Sequence, residues 1–78
     1  MFFKRRKRVK ADIGNYVQAK TSQGEVKGVL VPFRGTEWVE TRSGIQDIQE
    51  VTDVTPTQSL GDETMHFVKA VRRRHGLQ

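Results

Sequence analysis

The sequence predicts a mainly β protein, a small five-stranded barrel with a C-terminal amphipathic α-helix and a disordered basic N-terminal arm. Three observations predict this class: short segments rich in β-branched and aromatic residues between glycine-containing turns, one apolar pattern of helical period near the C-terminus, and a basic run at the start. We expect a flexible arm over residues 1–11, the barrel over residues 12–56, and a linker with the helix over residues 57–78.

Charge separates the ends of the chain from its middle. The 78 residues carry a net charge of +5, and residues 1–10 hold six basic residues without an acidic one. Residues 11–60 hold four basic against seven acidic residues, and residues 61–78 are again net positive. Because this density of one sign exceeds what solubility requires, we expect the two ends to bind an anionic partner; a solubilising tail is the alternative.

Size and composition exclude several classes of protein. A chain of 78 residues allows one small domain with a modest core. It contains no cysteine, so it forms no disulfide and no thiolate metal site, which fits the cytoplasm as the expected location. We expect neither a membrane span nor a secretion signal, because no apolar run is long enough for either.

The first two strands are predicted from alternation and from turn residues. Residues 16–21 alternate apolar and polar side chains and form the first strand, and residues 22–24 form the turn that follows. The second strand covers residues 25–33, with a sharp bend at Gly28 and an edge or a bulge near Pro32.

The middle of the chain predicts a second hairpin and then an ambiguous segment. Residues 34–35 form a turn, residues 36–41 the third strand, and residues 42–44 the next turn. Residues 45–54 carry an apolar residue at every third position, which we interpret as strand, one helical turn, strand. An α-helix that begins at Ser43 is the alternative.

The last segment is predicted to be a helix because its apolar residues fall on one side. These residues are Met65, Phe67, Val68 and Val71. Residues 55–58 are the linker, Ser59 or Asp62 is the expected N-cap, and Gly76 is the expected end. Acidic residues at the start of the helix and arginines at its end match the helix dipole.

Residues 16–54 also carry the glycine pattern of a known kind of barrel. The run from Val17-x-Ala19 through Gly24-Glu25-Val26 to Gly28-x-Leu30 resembles that of Sm-like proteins, in which one glycine makes the turn and another bends the second strand. The segment therefore looks like an SH3-like or Sm-like barrel. One residue fewer separates Val26 from Gly28 than in the Sm-like pattern, and a basic arm replaces the leading helix. The resemblance implies architecture alone, without ring assembly or an RNA-binding pocket.

The candidate nucleic-acid-binding residues are basic residues at both ends and two aromatic residues of the barrel. Those expected on phosphates are Lys4, Arg5, Arg6, Lys7, Arg8, Lys10, Arg72, Arg73 and Arg74. Those expected on bases are Trp38 and Tyr16, for which core packing is the alternative. We expect Phe33 in the core.

Acidic and histidine residues give little support for catalysis or metal binding. The acidic residues of interest are Asp47, Glu50, Asp53, Glu37 and Glu40. The first three recur at every third position, which could gather carboxylates for a divalent ion or a basic partner, but no metal-binding loop pattern is present, so a solvated face is favoured. In a further interpretation, all five hold the chain's own arm or tail until a stronger anion competes. His66 and His75 lie about 13 Å apart along a helix, so they do not share one ligand site. We expect no cofactor, no metal and no small-molecule substrate.

We therefore expect a non-enzymatic module that binds RNA or DNA, mainly through backbone contacts of the arm and the helix. The alternative is a protein–protein interaction or assembly module, such as a phage, plasmid or ribosome-associated accessory protein or a homo-oligomer, that docks through a barrel edge and the helix. An exposed apolar face on the helix would favour this alternative. Binding of Phe2 and Phe3 to an anionic membrane surface is a third expectation.

Overall fold

The computed structural model, which describes residues 10–77, contains one antiparallel sheet of five strands followed by a helix. The elements are β1 Tyr16–Thr21, β2 Gly24–Phe33, β3 Thr36–Thr41, β4 Gly44–Asp47, β5 Glu50–Thr55, a 3-10 turn Thr57–Ser59 and α1 Asp62–Arg74. The predicted mainly β class with a C-terminal helix is confirmed. The arm predicted over residues 1–11 lies outside the described residues, except for its last two.

The sheet is not closed, so the expected barrel is not confirmed. The strand order is β4-β3-β2-β1-β5, and among the described residues β4 pairs only with β3 and β5 only with β1. Residues 48–49 connect β4 to β5 as a bend; both the expected helical turn and the alternative of an α-helix from Ser43 are wrong. The Gln49 amide donates to the Lys20 carbonyl at 2.8 Å. This bond brings the chain from the end of β4 to the edge of β1 with which β5 pairs.

β2 is shared between two partners along its length. Its first part pairs with β1 from Gly24 to Val29, and its second part pairs with β3 from Val29 to Phe33. The pairing partner of β2 changes from β1 to β3 beside Gly28. A Cβ atom at this position would lie 2.3 Å from the Glu40 carbonyl oxygen. This close approach of β3 is why glycine is required at the position.

Tight turns connect the first four strands, as predicted. Arg34 and Gly35 have φ values of 52° and 82°, which define the two-residue turn whose twist matches that of a hairpin. In each of the other two hairpins, a threonine hydroxyl at the end of one strand donates to the carbonyl of the glycine that opens the next. These local bonds help to hold the register of the strands.

Both faces of the sheet carry a hydrophobic core. On the face toward α1, Val29 and Val31 pack with Val68 and Val71, and all four residues are fully buried. The second core, on the opposite face, is built on Val17, Leu30 and Val39. Because neighbouring residues of a strand point to opposite faces, the continuous apolar run in β2 serves both cores.

The ends of α1 are determined by backbone geometry. Gly61 is the N-cap and makes no side-chain hydrogen bond, so the expected caps Ser59 and Asp62 are wrong. The reason is that Asp62 is already the first helical residue, one position beyond the cap. At the other end Gly76 terminates the helix as predicted, and its amide donates to the Arg73 carbonyl at 3.1 Å.

The apolar side of α1 packs on the chain's own sheet. Val68 and Val71 are buried, and Phe67 and Met65 are half-buried. The exposed helix face that would favour a docking module is therefore not observed in the described residues.

Candidate nucleic-acid interface

The basic arm meets the described structure at Lys10. The predicted contacts Lys4, Arg5, Arg6, Lys7 and Arg8 lie outside the described residues. Lys10 is exposed, and Ala11, which the sequence assigned to the arm, is half-buried against the second core. Lys10 lines an open groove together with Glu37, the residue before Trp38 on β3. The arm therefore leaves the domain at the end of the sheet where β3 begins.

The three arginines at the end of α1 differ in what they contact. Arg72 is half-buried, and its Nε donates to the Gly14 carbonyl at 2.9 Å. Arg74 Nη1 lies 2.9 Å from Oε2 of Glu40, although 59% of its side chain is exposed. Arg73 is exposed. Two of the three predicted phosphate contacts are thus engaged within the chain, and Arg72 ties the segment before β1 to the helix.

Glu40 is a buried carboxylate on the helix-facing side of the sheet. Only 5% of the residue is exposed, and its carboxylate oxygens lie 2.9 Å from Arg74 Nη1 and 2.6 Å from Nε2 of His75. Both partners offset the cost of removing the carboxylate from water. The interpretation that acidic residues hold the chain's own tail is therefore observed for Glu40, whose partner His75 sequence reasoning did not identify.

The two aromatic residues that were predicted to stack on bases are half-buried. Tyr16 and Trp38 both pack against the core formed by Val29 and Val31 with α1. The indole Nε1 of Trp38 donates to Thr36 Oγ1 at 2.7 Å, so its polar group is satisfied within β3. Both rings therefore contribute to the core and keep part of their surface accessible.

Phe33, Arg34 and Trp38 form a cluster at the end of the β2–β3 hairpin, which we call the aromatic tip. The rings of Phe33 and Trp38 meet edge to face, with centroids 5.1 Å apart and planes at 77°. The guanidinium carbon of Arg34 lies 5.2 Å from the centroid of the Phe33 ring. Phe33 was expected in the core; it is only half-buried because it is the last residue of β2, beside the turn.

Arg34 is the site residue that sequence reasoning missed, because it was interpreted as a turn residue alone. The residues of the turn contained the information needed to identify Arg34. A two-residue turn places Phe33 opposite Thr36, and Trp38 follows two residues later on the same face. An arginine inside such a turn lies next to the aromatic side chain that ends the strand.

The aromatic tip combines two chemistries that suit an unpaired nucleotide. Aromatic rings offer surfaces for base stacking, and a guanidinium group binds phosphate or stacks on a base. Arg34 also adopts a positive φ, which costs a residue with a side chain about 1–2 kcal/mol and is often found at functional sites. Because Glu37 of the groove lies next to Trp38 on β3, the tip and the origin of the arm share one end of the sheet, the tip on the face toward α1 and the groove on the opposite face.

A second pair of arginine and phenylalanine lies at the β3–β4 turn. The guanidinium carbon of Arg42 is 5.0 Å from the ring centroid of Phe67 on α1. Phe67 packs against the helix-side core, so this pair fastens the helix to the sheet. Arg34 with Phe33 and Arg42 with Phe67 are thus the same kind of pair, the first at the tip of a hairpin and the second between the sheet and α1.

Comparisons with known proteins do not place the chain in a family. No protein-family model matches it, and neither does any curated protein or solved structure. Within residues 10–77, no group of three or more histidine or carboxylate side chains is arranged to hold a metal ion. In the same range, the structure contains no helix with the length and apolar character needed to cross a membrane.

Proposed function

We propose that the chain is a cytoplasmic, non-enzymatic module that binds RNA or DNA. The observation that carries the proposal is that the basic arm begins at the same end of the sheet as the aromatic tip. The arm brings five basic residues in addition to Lys10, and the tip brings Arg34 with two partly accessible rings. Phosphate contacts from the arm and base stacking at the tip would then act on one stretch of nucleic acid.

The C-terminal arginines have a smaller part in this proposal than the sequence predicts. Arg73 and Arg74 are exposed and available to phosphates, but Arg74 shares its charge with Glu40. Arg72 acts as a positioning residue, because its hydrogen bond holds Gly14 close to α1. Binding should therefore depend more on the arm than on the end of the helix.

The acidic middle of the chain supports this division of roles. Residues 11–60 carry a net charge of −3, so the strands and the groove repel phosphate. Repulsion over the body of the domain and attraction at the arm concentrate the contacts at one end.

We also propose that the sheet is an opened form of the SH3-like or Sm-like barrel that the sequence predicts. In the order β4-β3-β2-β1-β5, pairing of the two edge strands with each other is the one step that would close the sheet. The short β4, of four residues, leaves few backbone groups for that pairing.

Removal of residues 2–9 should weaken binding to RNA and DNA and flatten its dependence on salt. Five phosphate contacts to a single strand contribute about −3.5 to the slope of log affinity against log salt concentration, and the slope should become less negative by about this amount. Fluorescence anisotropy with labelled oligonucleotides at several salt concentrations measures both quantities. An unchanged affinity would contradict the proposal.

Arg34→Ala should weaken binding to single-stranded oligonucleotides by roughly fivefold or more, because the tip loses its guanidinium group. Arg42→Ala is the matched control: it removes the same charge and the same kind of contact with a phenylalanine ring, away from the tip. Equal losses for the two variants would mean that net charge alone acts, and the aromatic tip would then have no role.

A protein-interaction module remains a second candidate, supported by the two edges of the open sheet. Among the described residues, the outer sides of β4 and β5 have no strand partner, and such edges accept an added strand. Solution mass at two concentrations tests for assembly. A mass that rises with concentration, together with no measurable affinity for nucleic acid, would favour this candidate over the first.

A further inference from the structure

An open groove of about 660 Å³ lies on the face of the sheet opposite α1. Its lining includes the apolar residues Leu30, Ile48 and Val51 and the acidic residues Asp12, Glu37 and Glu50. Ile48 and Val51 are half-buried and pack against the second core, so the groove leaves part of that core in contact with water. Exposed apolar surface of this kind favours an occupant.

Charge determines which class of occupant the groove accepts. Among the residues that the structure describes, the exposed carboxylates Asp12 and Glu37 line the groove, and Lys10 is its one basic lining residue. This balance disfavours phosphate groups, so the groove is not the place where nucleic acid binds. A basic segment that also carries apolar side chains matches both the carboxylates and the apolar lining.

We propose that the groove binds the chain's own residues 2–9 and that nucleic acid displaces them. This segment contains five basic residues, Lys4 to Arg8, flanked by Phe2 and Phe3 on one side and Val9 on the other. It joins the described structure at Lys10, which itself lines the groove. The displacement step rests on the function proposed above, whereas the docking step does not.

Covalent connection makes weak contacts sufficient for this docking. The segment reaches at most about 26–29 Å from its attachment point, and it starts at the groove. Its effective concentration there is in the millimolar range for so short a connection. Nucleic acid presents a denser row of negative charges than the exposed carboxylates Asp12 and Glu37, so it competes for the same basic side chains.

Paramagnetic broadening in the full chain tests the docking step. Because the chain has no cysteine, Phe2→Cys creates a single site for a nitroxide label. We expect the amide signals of residues 48–51 to lose intensity, at a level independent of protein concentration.

The double substitution Asp12→Asn and Glu37→Gln should restore the signals, since both residues are exposed and the change neutralises these two carboxylates of the lining. The matched control, Glu25→Gln with Asp47→Asn, removes two exposed carboxylates outside the groove and should leave the broadening in place.

Three outcomes of this experiment would overturn the docking. One is the absence of broadening at residues 48–51, and another is equal broadening in the groove variant and the wild type. The third is broadening that disappears on dilution, which would make a second copy of the chain the occupant.

Affinity for single-stranded RNA tests the displacement step separately. The groove variant should bind roughly threefold to tenfold more tightly than the control variant, because two exposed ion pairs no longer compete for the arm. RNA added to the labelled chain should also restore the signals of residues 48–51. Equal affinities in the two variants would overturn displacement. If no variant binds nucleic acid while the broadening is present, the proposed function fails and the docking stands.

Discussion

Glu40 and the end of α1 show how single residues hold this domain together. The carboxylate belongs to β3, and its partners Arg74 and His75 follow at the C-terminal end of the helix. Basic side chains at that end also interact favourably with the helix dipole. Glu40 therefore holds the C-terminal end of α1 against β3, beside the cluster of valines that the helix covers.

Glu40→Ala should lower the free energy of unfolding by about 2 kcal/mol, because Arg74 and His75 lose the carboxylate that they contact and the end of α1 loses its contact with β3. Urea denaturation followed by circular dichroism measures the change. Glu25→Ala, on an exposed position of β2, is the control and should change stability by less than about 0.5 kcal/mol. A similar loss in both variants would show that Glu40 has no special role.

At the scale of the elements, the N-terminus of α1 lacks a side-chain cap. Gly61 has the extended backbone of an N-cap, with φ −71° and ψ 168°, but no side chain to accept a hydrogen bond from the first turn. A Cβ atom added there would meet no other atom within 4 Å. The position is therefore open to a better capping residue.

Gly61→Ser should raise the free energy of unfolding by about 0.5–1 kcal/mol, since the hydroxyl caps the helix and the unfolded chain loses the freedom of glycine. The midpoint of urea denaturation reports the gain. Gly61→Ala restricts the unfolded chain in the same way without adding a cap, so it should be less stable than the serine variant. Equal stabilities would exclude a capping effect.

At the scale of the whole molecule, the sheet and the helix depend on each other. Val29 and Val31 of the sheet pack with Val68 and Val71 of α1, and all four are fully buried. Each of these side chains contributes about 1.5–3 kcal/mol when buried, and a chain of this size has a total stability of roughly 4–12 kcal/mol. Loss of the helix therefore removes a large part of the stability.

A chain that stops after Leu60 should show no cooperative unfolding transition, because the helix-side core is lost. Thermal denaturation followed by circular dichroism tests this expectation. The chain without residues 2–9 is the control and should retain a cooperative transition, since the described strands and helix remain complete. A cooperative transition in the shorter chain would show that the second core is sufficient.

Most elements of this fold are predictable from sequence, for a local reason. Alternation in residues 16–21, glycine in the turns and apolar spacing in α1 each depend on neighbours within a few positions. The segment over residues 45–54 was harder, because its apolar spacing of three suits neither strand nor helix. The structure resolves this segment as β4, a two-residue bend and β5.

The sequence predicts which residues of the candidate site are charged, but it does not predict how these residues are placed relative to one another. The basic run identifies the arm without any structure. Trp38 was predicted to stack on bases, but its neighbour Arg34 was missed, and Arg72 was assigned to phosphate although it donates to Gly14. These contacts depend on how the hairpin tip and the helix end are placed in space.

The sequence by itself determined the strands, their turns, the helix and the separation of charge between the ends and the middle. Only the tertiary structure decided that the sheet stays open, that Glu40 holds the helix end, and that a groove forms beside Lys10. The physical reason is the distance along the sequence between the residues that interact. Turn formation and periodicity depend on residues a few positions apart, whereas sheet closure and the pairing of Glu40 with His75 join positions tens of residues apart.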